Sequence, residues 1–151
     1  MPLTTFGAIM GFAAEMAGKT AEIYKALVQK AKDSTLKEVL QSLSVEEGKN
    51  YALMGKTRRE NVTEMILEPV AGLHQEDYGI DLKMWDQMED ADLLKGALIL
   101  EEREKKFFGD ASSKVPLPEV ARIFRKIAQK KEENLAKLQS LRLNETFQGR
   151  A

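Results

Sequence analysis

The sequence predicts an all-α protein: four long helices arranged as two helix hairpins joined by a long crossover. Three observations carry this expectation. Proline stands only at positions 2, 69, 116 and 118, and between them there is almost no strand-like alternation. Apolar residues recur instead at steps of four and three, the spacing of a bundle seam. Residues 10–54 also overlay residues 94–138 without a gap, at a constant offset of 84.

The first helix is expected over residues 5–32. Its seam reads Phe6, Met10, Ala13, Ala17, Thr20, Tyr24, Leu27, Ala31. Thr4 or Thr5 can cap its start, and Asp33 and Ser34 mark its end and the next cap. The second helix is expected over residues 35–67, with Leu36, Leu40, Leu43, Glu47, Asn50 and Met54 on its seam, and Pro69 stops it. Residues 69–89 form the crossover, far longer than a hairpin turn needs; Asp81 to Met88 suit a short helix. Such a link lets the third helix start at the end where the second one started. The third helix is expected over residues 91–113, capped by Asp90 or Asp92, with Leu94, Ala97, Glu101, Glu104, Phe108 and Ala111 along its seam. The fourth is expected over residues 118–143, with Pro118 in its first turn, where a missing N–H is harmless. Its seam reads Val120, Phe124, Ile127, Lys131, Asn134, Leu138, Leu141. The polar residues from Asn144 to Ala151 are expected to fray.

The internal repeat keeps register through the inter-helix turn. Tyr24 falls on Phe108, Leu40 on Phe124, Asn50 on Asn134 and Met54 on Leu138. Any two helix hairpins share seam spacing, but the matched aromatic and asparagine positions favour a true repeat. A single domain over residues 1–151 follows, since one domain typically takes ~100–200 residues.

Composition excludes several chemistries. With 23 basic and 24 acidic residues, the balance argues against a nucleic-acid binder and gives no reason for attraction to an anionic membrane. No window approaches the ~20 apolar residues of a membrane span. The apolar run from Phe6 to Ala14 lacks the basic start of a signal peptide, so a cytoplasmic protein is expected. The absence of cysteine removes disulfides, Fe–S clusters and thiolate sites. His74 is the single histidine, so no metal site needing two histidines can form within one chain.

Each seam is interrupted at one level. Ala17 and Thr20, Glu47 and Asn50, Glu101 and Glu104, and Lys131 and Asn134 face inward there, paired by the same offset. Burying an unpaired charge is prohibitive. Such a layer is therefore either a functional site or a self-neutralising ion network.

Around this layer the pattern resembles the ferritin-like domain of the rubrerythrin family, over nearly the whole chain. Four tracts carry the resemblance: Ala21-Glu22-Ile23-Tyr24, Glu101 to Phe108, Leu43 to Asn50, and Ile127 to Asn134. The family implies a ferritin-like four-helix bundle with a diiron site. There a Glu precedes an aromatic by one heptad on helices one and three, and Glu-x-x-His lies on helices two and four. It also implies peroxide or oxygen chemistry. Glu101 and Glu47 match ligand glutamates; the other four positions depart. Ala17 cannot bind metal, Asn50 and Asn134 stand where histidines are expected, and Lys131 replaces a glutamate. An ammonium group is a donor only and repels a cation.

Two readings of the layer follow. In the first, Lys131 supplies the positive charge that iron once supplied, pairs with Glu47 or Glu101, and no cofactor is bound; the asparagines complete the hydrogen bonds. The protein is then a structural, partner-binding or ligand-binding module, not an enzyme. In the second, Glu47, Glu101 and Glu104 hold a metal with amide oxygens from Asn50 and Asn134. The resemblance implies iron or manganese for such an oxidoreductase or iron-handling protein, and the oxygen donors suit Mg, Mn or Ca better than a diiron centre. The sequence has no rubredoxin-like tail, so an electron donor would be a separate redox partner.

Remaining residues carry weaker signals. Tyr24 is expected in the core with its hydroxyl on the polar layer. His74 is expected in solvent, the seven methionines as core filler, and Lys56-Thr57-Arg58-Arg59 as a solvated helix face. Tyr78 and Trp85 either cap the bundle or form a subunit contact. The family resemblance and the general preference for two-fold assemblies imply a homodimer.

Overall fold

A computed structural model describes residues 2–61, 70–79 and 88–142. These form four long helices: α1 (Phe6–Lys30), α2 (Ser34–Glu60), α3 (Asp90–Ser112) and α4 (Pro118–Arg142). A 3₁₀ turn spans Gln75–Tyr78, and the described residues contain no strand beyond a single bridge pairing Pro2 with His74. No described helix is long and apolar enough to cross a membrane.

Local chemistry sets each boundary. Thr5 Oγ1 accepts from the Ala8 N–H at 3.0 Å and starts α1. Asp33 Oδ2 accepts from the Leu36 N–H at 2.9 Å and starts α2. The α3 N-cap is Glu89, one residue earlier than Asp90; its own N–H donates to Asp92 Oδ2 at 3.0 Å. Asp90 does a different job. Its carboxylate accepts from the Lys32 and Asp33 N–H groups at 3.0 and 2.9 Å, so the start of α3 is tied to the α1–α2 turn. Pro118 opens α4, where its missing N–H costs nothing. The α2 helix ends at Glu60 with Asn61 as C-cap, and the expected continuation over 62–67 lies outside the described residues, as does the short helix over 81–87 with Trp85.

The helices pack as hairpins, α1 against α2 and α3 against α4. Residues 70–73 run beside the start of α1: Val70 N–H donates to Thr4 O at 2.7 Å, and Leu3 N–H to Leu73 O at 2.8 Å. Tyr78 then buries its ring between α1 and α3, edge-on to Phe107 at 5.1 Å, and donates its hydroxyl to Asp110 at 2.8 Å. His74 is exposed, as are Lys56, Arg58 and Arg59, while Thr57 between them is buried.

Two apolar clusters form the core. One gathers Phe6, Met10, Met54, Phe107, Phe108 and Phe124; the other gathers Tyr24, Leu27, Leu36, Leu40, Leu94 and Leu138. Along every helix the residues between these clusters are those of the interrupted seam. The polar layer is therefore closed off by apolar side chains above and below.

Candidate functional site

Each helix contributes to the layer from its middle, where neither end can fray. Ala17 and Thr20 come from α1, Glu47 from α2, Glu101 and Glu104 from α3, and Lys131 and Asn134 from α4. All are buried, and Glu47, Glu101, Glu104 and Lys131 have no exposed surface at all. Asn50 is half-buried and stands outside the hydrogen-bonded set.

Lys131 is the centre. Its Nζ donates to Glu47 Oε2, its closest contact, and to Glu46 Oε2 and Glu101 Oε2 at 3.2 Å each. Glu104 Oε1 lies 4.0 Å away. Asn134 Nδ2 donates to Glu46 and Glu101 at 2.8 Å each, and the Tyr24 hydroxyl donates to Glu101 Oε2 at 2.7 Å. Glu101 is thus held by an ammonium, an amide and a phenol. Glu47 and Glu104 are held less completely: Glu47 Oε1 and both Glu104 oxygens have no hydrogen-bond partner among the described residues.

These contacts decide the protonation states. Burial pushes the Glu47 carboxyl well above the usual range, and the neighbouring Glu104 adds to the shift; Lys131 opposes it. Burial raises Glu101 too, again against Lys131. Burial alone would lower Lys131, but the surrounding carboxylates, Glu104 first, hold it well above its ordinary value. The ammonium form therefore persists throughout the neutral range. Burial and the Glu101 charge likewise keep the Tyr24 phenol protonated.

Two residues of this set escape seam spacing. Glu46 has 18% of its side chain exposed and reaches in from the flank of α2 to Lys131 and Asn134. Arg103 reaches from α3 to α1, where its Nη2 donates to Thr20 Oγ1 at 2.6 Å. Long side chains can cover a neighbouring face from an off-seam position, which apolar periodicity does not register. The only available signal was adjacency, because Glu46 precedes Glu47 and Arg103 lies between Glu101 and Glu104. Arg103 also walls a surface cleft of about 570 Å³ with Tyr78, Lys95, Lys106 and Leu135.

One carboxylate oxygen from each of Glu47, Glu101 and Glu104 lies within 4.8 Å of the others, a cluster that could hold a metal ion. Its donor set does not fit a diiron centre. The Lys131 ammonium already contacts the carboxylates at hydrogen-bond range, and Asn134 turns its amide N–H₂, a donor, toward Glu46 and Glu101. The arrangement as it stands is a buried network of one ammonium among four carboxylates, with unpartnered acceptor atoms on Glu47 and Glu104. No family model, curated protein or solved structure matches the chain.

Proposed function

We propose that the protein is a rubrerythrin-like, ferritin-like bundle whose metal position has passed to Lys131, and that it serves as a metal-independent structural or partner-binding module. One observation carries this reading: the Lys131 ammonium lies among four carboxylates, where the related architecture would hold cations. The tie between Asp90 and the α1–α2 turn supports the crossover connection, because it sets the start of α3 beside the start of α2. The cleft beside Arg103, with cationic Lys95 and Lys106 on its walls, is the surface we assign to a protein partner or ligand. A cytoplasmic homodimer completes the reading.

The experiment is metal analysis of protein grown with added iron and manganese and purified without chelator. The expected result is metal far below one equivalent, with an unfolding curve that a chelator does not move. Stoichiometric iron or manganese, lost in Glu101→Ala, would overturn it. That outcome belongs to the second reading, an oxidoreductase or iron-handling protein on Glu47, Glu101 and Glu104. The three unpartnered carboxylate oxygens are the observation in its favour. Light scattering tests the dimer, and particles of only 17.0 kDa at tens of micromolar would refute it.

A further inference from the structure

We propose that Lys131 and Glu47 form a modification site, at which the two side chains condense to an intramolecular amide joining α4 to α2, with Glu104 as proton carrier. The inference rests on the reading that Lys131 holds the cation position.

The chemistry needs a nucleophile held against an acyl carbon, exclusion of water, and a group that moves protons. Lys131 Nζ makes its closest contact with Glu47, and neither residue has any exposed surface. Reactants fixed in attack geometry reach effective concentrations of ~10⁵ M or more, and this contact already sets Nζ on the oxygen next to the acyl carbon. In open water both ions are well solvated and stay apart. In this core each has lost its hydration, so condensation relieves the desolvation cost of this pair; Glu46 and Glu101 give up the ammonium and keep Asn134 and Tyr24 as donors. Glu104 supplies the third requirement. It is wholly buried, clustered with Glu47, and its oxygens have no hydrogen-bond partner among the described residues.

The step balances without any oxidant or cofactor. Lys131 Nζ first passes a proton to the Glu47 carboxylate, leaving a neutral amine beside a carboxylic acid. The amine lone pair then attacks Glu47 Cδ. Glu104 takes a proton from the nitrogen and returns it to the departing hydroxyl as the C–O bond breaks. In sum, one ammonium and one carboxylate give one amide and one water. The four carboxylates favour the ammonium, so the reactive amine is a minor species and the step is slow; it has to occur only once per chain.

The choice among the carboxylates follows from their donors. Glu101 accepts from Tyr24 and Asn134, which stabilise its anion and make it a poor acyl group. Glu46 is partly exposed and held by Asn134. Glu47 has an unpartnered Oε1 and only the Lys131 contact on its Oε2. The product is also well accommodated. Its N–H sits 3.2 Å from Glu101 Oε2, measured from the present nitrogen position.

The test is the intact mass of the full chain, unfolded in the spectrometer and sampled over days after purification. The expected mass is lighter than calculated by one water, with one branched peptide joining the Glu47 and Lys131 tracts and no tryptic cleavage after Lys131. Glu104→Gln should slow the loss by ~10²-fold or more, the usual worth of a positioned acid–base group. Lys131→Arg keeps the charge, cannot condense, and should show the calculated mass. A wild-type chain at full mass throughout overturns the proposal, as does a water loss that maps elsewhere or persists in Lys131→Arg. Full mass together with absent metal overturns the cross-link alone. Stoichiometric metal overturns the underlying reading as well.

Discussion

Replacing Lys131 with Met tests the ion network most directly. Methionine fills a similar volume, so the change removes charge and donors with little effect on packing. What remains is Glu47 and Glu101, both without exposed surface, and Glu104 beside them. Glu101 keeps Tyr24 and Asn134, but Glu47 loses the donor to its Oε2 and retains an unpartnered Oε1. Breaking one side of a buried ion pair typically costs about 3–5 kcal/mol. That range is the expected loss of unfolding free energy at neutral pH.

The sign of the pH dependence follows from linkage. Glu47 and Glu101 have folded-state values raised above their ordinary one, so the folded chain binds more protons than the unfolded chain between the two values. Their contribution therefore worsens as pH rises through that window. Lys131 is raised as well, so its contribution is fully present at neutral pH and is lost only as pH climbs through its folded value. Removing Lys131 deletes the one influence that lowers Glu47. The variant's carboxyls then take up protons more readily, and its deficit narrows on mild acidification. The ionic pair and the condensed amide give the same sign, because either way the variant strands Glu47. Denaturant unfolding of both proteins at neutral and mildly acidic pH measures this. A Lys131→Met protein as stable as the parent at every pH would refute the reasoning. The best rescue is Glu47→Leu in the same chain: Glu101→Leu would also orphan the Tyr24 hydroxyl and the Asn134 amide, at about 1–3 kcal/mol per unsatisfied group.

Three further predictions follow from neighbouring contacts. Asp90→Ala removes two acceptors for the Lys32 and Asp33 N–H groups and should cost about 1–3 kcal/mol in thermal or denaturant unfolding; an unchanged midpoint would show that water replaces them. Tyr24→Phe should leave the alkaline phenolate titration of the folded protein unaltered, because burial and Glu101 hold that phenol protonated; losing an early-titrating phenol would contradict this. Lys131→Glu puts a carboxylate where the ammonium stood and should create divalent-metal binding by calorimetric titration. No heat with manganese or iron(II) would show that loss of the lysine is not sufficient.

Much of the fold was legible because a buried helix face writes its period into the sequence. The caps at Thr5 and Asp33, the Pro118 start and the α3–α4 break all follow from short-range chemistry visible in the chain. Asp90 was misread for an instructive reason. An aspartate before a helix fits a local cap, but its partners lie on the α1–α2 turn, 58 and 57 residues away in sequence. Local rules do not reach that far. The layer was legible on the same principle as the fold: a charge on an apolar seam is costly unless paired, so Glu47, Glu101, Glu104 and Lys131 announced themselves. Asn50 and Asn134 are equivalent by the repeat, yet only Asn134 joins the network. The 84-residue offset gives the two asparagines equivalent seam positions. It does not fix which side chain finds an acceptor, and Glu46 stands within reach of Asn134.

The placement of the layer explains how one lysine can hold several inward carboxylates without the core collapsing. A bound cation and an ammonium solve the same electrostatic problem, which is to hold inward carboxylates together between two apolar clusters. The solutions differ in reach. A metal can bind all its ligands at once, whereas an ammonium has three N–H donors. Here those three go to Glu47, Glu46 and Glu101, and Glu104 is left at 4.0 Å with both oxygens unpartnered. Tyr24 and Asn134 make up part of the difference on Glu101. Glu104 is therefore the position at which the network is incomplete. If the layer were only structural, Glu104→Gln should be neutral or stabilising, since it keeps the shape and replaces an unpartnered acceptor with an N–H₂ donor beside carboxylates. A marked loss of stability in that variant would instead show that the Glu104 carboxyl meets a need that these contacts do not display.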